Sequence, residues 1–203
     1  RDQPRSRGLG DVYKRQLQER YLSISLEKAE RLEDLINEFF DIARFNLTDI
    51  SLQYSKINLT RLLEQLAYEF KPMLKEKNLT CNLQIPDDLM LRCDANKIQR
   101  AFDNLLRNAV IYSYPDTEVN VTVVRQNDDV VIKFINHGDT ISKENLERIF
   151  EQFYRLDISR STSSGGAGLG LAISKRIIEL HHGTITASSE NDLIEFTVTL
   201  PAS

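Results

Sequence analysis

The sequence predicts an α+β fold, with helices laid on one face of a mixed sheet and one long bundle helix ahead of it. Three observations carry that prediction. Residues 17–45 repeat apolar side chains every seven positions. From about residue 59 onward, stretches of helical period alternate with stretches of period two. The period-two stretches include adjacent pairs joined by short polar turns, which builds hairpins rather than a strict series of crossover units.

The elements follow in chain order. Residues 1–16, RDQPRSRGLGDVYKRQ, have no periodicity, and RGLGDVYKRQ resembles translated sequencing-adaptor sequence, so they are set aside as non-native. In the helix 17–45, Leu22, Ala29, Ile36 and Ala43 recur every seven residues and Leu32 and Phe39 fill the alternate positions, with Ser25 the polar exception. Leu35, Phe40 and Ile42 widen the stripe, so more than one partner helix is expected. Residues 46–58 form a linker and a first strand, with the alternation ISLQYSKI. Asn58 or Thr60 caps a helix running to about Lys77, with Pro72 a kink or a stop. LTCNLQI, residues 79–85, reads as a strand, and Asp94 caps a helix over 95–113. TEVNVTVVRQ and DVVIKFIN are strands around a polar Asn-Asp-Asp turn. A short helix at 142–150, a polar stretch at 151–167, a helix at 169–181 and strands at 184–190 and 193–200 complete the chain.

The net charge is −4, and the first sixteen residues carry a surplus of three positive charges, which leaves −7 on the rest. With no large basic block, this argues against nucleic acid as a partner. Cys81 and Cys93 make no metal-ligand spacing and read as reduced core thiols of a cytosolic protein. No apolar run is long enough to span a bilayer.

Half of the eight glycines, Gly165, Gly166, Gly168 and Gly170, fall within six residues just ahead of an apolar-periodic helix. Bare backbone N–H groups and a helix N-terminus make a phosphate cradle. A flexible surface loop is the plain alternative. The spacing is neither that of a P-loop nor that of a dinucleotide-binding turn. The polar stretch before the cluster suits a mobile lid. Asn104 and Asn108 lie four apart on one helix face, with Leu105, Leu106, Ala109 and Val110 on the other. Buried amides call for a polar ligand, and hard oxygen donors suit Mg²⁺ beside nucleotide phosphates.

In order and spacing, the pair Asn104–Asn108, INHGDTI, IFEQFYRLD and GGAGLGLAI resemble the N, G1, F and G2 boxes of the ATP-binding domain of sensor histidine kinases of two-component systems. The glycine-rich ending and FYRLDISRS resemble in particular the vancomycin-resistance (VanS-type) branch. The resemblance runs from about residue 17 to the end. It implies a Bergerat-type ATP-binding sandwich over 59–201, and makes 17–45 the second helix of a dimerisation and phosphoacceptor bundle. It implies Mg²⁺ and phosphate contacts for Asn108 and Asn104, and adenine contacts for Tyr112, Asn136 and Gly138. Phe150 and Phe153 become the lid hinge, with Arg155 and Arg160 reaching phosphate. Gly166, Gly168 and Gly170 become the points of close backbone approach. Ile141, Leu169 and Leu171 complete the implied ATP-binding set.

Three positions depart from the family pattern. Asn136 stands where an adenine-reading Asp is usual, Thr140 where a second glycine is usual, and Ile111 where a basic residue is usual. None of the three histidines, His137, His181 and His182, sits in an acceptor motif on a bundle helix, so the acceptor helix is expected upstream of Leu17. Asn104 occupies the position where related ATPases carry a water-activating Glu, which favours phosphoryl transfer over hydrolysis. The implied partners are a response-regulator receiver domain and a second kinase copy joined through 17–45. The implied location is cytoplasmic, with the parent protein anchored in the membrane. Two other readings stay open: a non-enzymatic nucleotide-binding interaction module, and a protein-serine kinase of the anti-sigma sort.

Overall fold

The computed structural model describes Lys14, residues 16–26, 28, 29, 32 and 36, residues 51–156 and residues 168–202. The chain divides into two compact units, Arg1–Ala43 and Arg44–Ser203. In the first, helix α1 is continuous over 16–26 and helical at the described positions 28, 29, 32 and 36. Lys14 and Gln16 are also helical, so helix extends into the segment set aside as foreign. Leu22, Leu32 and Ile36, all on the heptad stripe, are exposed. The part of the expected helix beyond residue 36 lies outside the described residues.

The second unit runs β1 (Ser55–Asn58), α2 (Leu59–Glu69), α3 (Lys71–Glu76), β2 (Thr80–Gln84), β3 (Met90–Cys93), α4 (Ala95–Tyr112), β4 (Glu118–Gln126), β5 (Asp129–His137), α5 (Lys143–Arg148), α6 (Gly170–Leu180), β6 (Thr184–Glu190) and β7 (Leu193–Pro201). Five strands form one sheet in the order β2-β4-β5-β7-β6, and β1 and β3 form a separate pair. The β2–β4 pairing is parallel and the other three are antiparallel, so the sheet is mixed.

Local chemistry explains most boundaries. Asn58 caps α2 by accepting a hydrogen bond from the Arg61 amide. Thr60 does not cap; its hydroxyl donates to the Pro86 carbonyl and accepts from the Leu89 amide. Pro72 stands in the first turn of α3, so the expected kink is a stop at Phe70 followed by a restart. The β6–β7 hairpin turns through Asn191 and Asp192, both at positive φ, as a two-residue turn that matches strand twist requires. The alternation read at 50–57 becomes strand only from Ser55 onward. Strand β3 was not expected; at four residues it is shorter than a periodic window resolves.

The core lies between the sheet and α4 with α6. Ile98, Ala101, Phe102, Leu105, Leu106, Ala109 and Val110 recur at helical spacing on the buried face of α4. The Phe102 ring meets that of Phe134 on β5 at 5.6 Å. Ile173, Ile177 and Ile178 bury the inner face of α6. The helix pair is tied by the Ser174 hydroxyl, which bonds the carbonyls of Ala101 and Gly170. Both cysteines are free thiols. Burial, then the neighbouring Asp94 carboxylate, pushes the Cys93 thiol up to about 12. Among the described residues no helix is long and apolar enough to cross a membrane.

Candidate functional site

One cleft of about 330 Å³ opens between α4, the β5–α5 turn, the residues after α5 and the start of α6. Strand β5 supplies its floor. Val130, Ile132, Phe134 and Asn136 share one register of that strand, and all four are buried. Asn136 is thus an amide at a core position, and among the described residues its Nδ2 has no hydrogen-bond partner. A buried, unpaired donor costs stability unless something else satisfies it.

The turn after β5 is held from two sides. The Gly138 amide donates to the Asp192 carbonyl at 2.9 Å. The Thr140 hydroxyl bonds the Asp192 carboxylate at 3.1 Å and accepts from the Asp192 amide at 2.9 Å. The Tyr114 hydroxyl reaches Asp139 at 2.8 Å. Gly138 itself does not line the cleft. It packs instead on the end of α4, where a Cβ would lie 2.2 Å from the Tyr112 carbonyl oxygen, so only glycine fits.

Helix α4 contributes Asn108 and Tyr112 to the cleft wall. Asn104 does not line it. The Asn104 side chain donates to the Gly170 carbonyl at 3.1 Å, and Asn108 Nδ2 donates to the Asn104 carbonyl at 2.8 Å. The four-residue spacing places both amides on one face, yet the nearer one is used to fasten α4 to the start of α6. Asn108 is the member of the pair that lines the cleft, where its amide oxygen could hold a hard cation. Among the described residues no group of three or more His, Cys, Asp and Glu side chains is placed to hold a metal.

At the other end stands the N-terminus of α6. Its N-cap residue, Leu169, makes no side-chain capping bond to the first-turn N–H groups. Gly168, Gly170 and Leu171 line the cleft, whereas Leu169 is buried. Gly168 has φ +79, and its carbonyl accepts from the Phe153 amide at 3.0 Å. The backbones of Phe153 and Gly168 therefore adjoin. Phe153 is exposed and outside the cleft; Phe150 packs edge-on to Phe196 at 6.3 Å. Ile141 and Arg155 line the cleft; Arg160 and Gly166 lie outside the described residues.

Sequence reasoning did not single out Asn145, Tyr154, Ile194 or Phe196, which also line the cleft. The Tyr154 hydroxyl donates to Asn145 at 2.7 Å, tying the residues after α5 back to that helix. Ile194 and Phe196 belong to the alternating buried register of β7, a signal that reads as core.

Residues 93–203 match the family described as Histidine kinase-, DNA gyrase B-, and HSP90-like ATPase. The chain belongs to this ATPase family. It is 48% identical over 185 residues to Sensor protein VanSC of Enterococcus gallinarum, covering 91% of this chain and 51% of that protein. It is 45% identical over 183 residues to Sensor protein VanS of Enterococcus faecium, covering 90% and 47%. The chain thus spans about half the length of these curated relatives. Among solved structures, histidine kinase ThkA in complex with response regulator protein TrrA aligns with a TM-score of 0.73 at 21% identity, covering 100% of this chain and 53% of that one. That likeness establishes the fold. The mixed sheet backed by helices is the Bergerat-type ATPase sandwich that the family shares.

Proposed function

We propose that this chain is the catalytic portion of a two-component sensor histidine kinase. It binds Mg·ATP in the cleft and passes the γ-phosphate to a histidine on a bundle helix, for relay to a response-regulator receiver domain. The observation that carries this reading is a single cleft that reaches from Asn136 on β5 to the N-terminus of α6, where the N-cap Leu169 makes no side-chain cap. One end suits a base and the other a phosphate chain. Names of the relatives and a solved kinase–regulator complex support the same reading.

The roles follow from placement. Tyr112 and Ile141 flank the base, and Arg155 neutralises phosphate charge. The backbone at Gly168 and Gly170 approaches the phosphates. The Asn108 amide oxygen fits a hard cation that keeps most of its other ligands as water and phosphate oxygen. Such a cation, when bound, neutralises charge that develops on the transferring phosphoryl group. No carboxylate stands at residue 104 to take a proton from water; the amide there is bonded to Gly170. Transfer breaks the bond between the γ-phosphorus and its bridging oxygen and forms one to an imidazole nitrogen, with ADP leaving.

His181 does not suit the acceptor role. It is buried, with Nδ1 bonded to the Ile177 carbonyl and Nε2 to the Asp94 amide. The acceptor is therefore supplied in trans in the test: the chain, magnesium and γ-labelled ATP with a separate acceptor-helix domain. Acid-labile, base-stable label on that domain is the expected result. Nucleotide binding without transfer overturns the kinase reading in favour of a binding module.

A further inference from the structure

We propose that the base end of the cleft accepts the 6-oxo base of inosine nucleotides alongside adenine, because Asn136 presents a reversible amide to the base edge. The inference rests on the cleft being a nucleotide site.

The starting point is the position of Asn136. It continues the core register of Val130, Ile132 and Phe134, and its backbone pairs with Val119 on one side and Ile194 on the other. It is 1% exposed, lines the cleft, and its Nδ2 has no partner among the described residues. Nδ2 is also closed off from solvent, so a ligand in the cleft reaches it only once the amide has turned.

An amide carries an acceptor oxygen and a donor nitrogen side by side. Against adenine, the 6-amino group donates to Oδ1. Against hypoxanthine, the 6-oxo group accepts from Nδ2 once the amide has turned. A half-turn of the amide converts one pairing into the other, and the count of hydrogen bonds is unchanged. Among the described residues no hydrogen bond to Nδ2 has to break for that turn. A carboxylate at the same place is acceptor-only. It takes the adenine amino group but opposes a 6-oxo oxygen. An opposed or unmet buried polar contact discriminates by roughly 5- to 150-fold against the wrong base, and a reversible amide gives that discrimination up.

The geometry around Asn136 keeps the amide at the base edge in either sense. Gly138 packs on the Tyr112 carbonyl, and Thr140 and Asp192 clasp the turn that follows. The backbone carrying Asn136 does not need to move for the side chain to rotate.

The test measures dissociation constants of Mg·ATP and Mg·ITP for the full chain and for Asn136→Asp, by calorimetry. The expected ITP/ATP ratio for the unmodified chain is below about fivefold, rising at least tenfold in Asn136→Asp through loss of ITP. The wild-type ratio stands without the variant, should a carboxylate at that buried place impair folding. Tight ATP binding with ITP weaker by about a hundredfold or more overturns this inference and leaves the nucleotide reading intact. Binding of neither nucleotide overturns both.

Discussion

The Asp94 backbone amide donates to His181 Nε2 at 3.0 Å, a buried bond between residues 87 apart in sequence. His181 Nδ1 donates in turn to the Ile177 carbonyl at 2.7 Å, so the ring is held as one neutral tautomer. The Asp94 carboxylate caps α4 through the Lys97 amide at 3.2 Å and accepts from the Gln53 amide at 3.0 Å. Tyr54 meets the His181 ring edge-on at 5.6 Å. One knot thus joins the residues before β1, the first turn of α4 and the last turn of α6.

The knot is sensitive to pH. Burial lowers the His181 pKa below its ordinary value of 6.5, against the Ile177 bond and the Asp94 charge, which favour the proton; neighbouring His182 adds to the lowering. The folded state then binds fewer protons than the unfolded one below about pH 6.5. Stability from this group is fully present above that value and is lost progressively as the pH falls toward the lower folded pKa. Denaturant unfolding at a series of pH values should show that loss, and His181→Gln should flatten it. Equal pH slopes in the two proteins would discount the knot.

Lys77 secures the other end of α4. Its ammonium donates to the carbonyls of Val110, Ile111 and Ser113, where the helix dipole is negative. Tyr112, on the cleft wall, lies within that group. Lys77→Met is expected to lower unfolding free energy by about 1–3 kcal/mol. It should also raise the dissociation constant for the nucleotide several-fold although Lys77 does not line the cleft. A stability loss with unchanged nucleotide binding would confine Lys77 to folding.

Two glycines of the same cluster serve different needs. Gly168 sits at φ +79, and a Cβ would meet the Tyr154 carbonyl oxygen at 2.8 Å. At Gly170 a Cβ would find ordinary contact with Asn104 at 3.5 Å. Gly168→Ala should destabilise the chain by about 1–2 kcal/mol from the left-handed backbone alone. Gly170→Ala should leave the melting temperature unchanged within about a degree or two while weakening nucleotide binding, since its added methyl packs on Asn104, whose side chain holds the Gly170 carbonyl at the cleft's edge. Thermal melts of both variants, with and without nucleotide, read the difference.

Thr140, at a position where the family resemblance implies a glycine, bonds Asp192 twice. Thr140→Val keeps the shape and removes both bonds. A loss of about 1–2 kcal/mol is expected, together with weaker nucleotide binding, because the turn carries Ile141 into the cleft. Asp192→Asn, which keeps its amide bond to Thr140, should lose less.

Much of this was legible from periodicity. Strands β4 to β7 and helices α4 and α6 were placed to within a residue or two, because long alternating or helical runs end in Asn-Asp turns and an Asp cap. The short β3 was not, because four residues hold too few alternations. At the site, the spacing of Asn104 and Asn108 gave a shared face but not the backbone carbonyl that each amide finds. The clasp between Thr140 and Asp192 joins residues 52 apart and leaves no local pattern. Asn136 was visible as a departure from a carboxylate; its missing partner was visible only in the fold.

Titration calorimetry of the chain with magnesium and a non-hydrolysable adenine nucleotide tests the central claim most directly. The account predicts one binding event per chain, weakened at least tenfold in Asn108→Ala at an unchanged melting temperature. No heat of binding at millimolar nucleotide, from a chain shown to be folded, would contradict it.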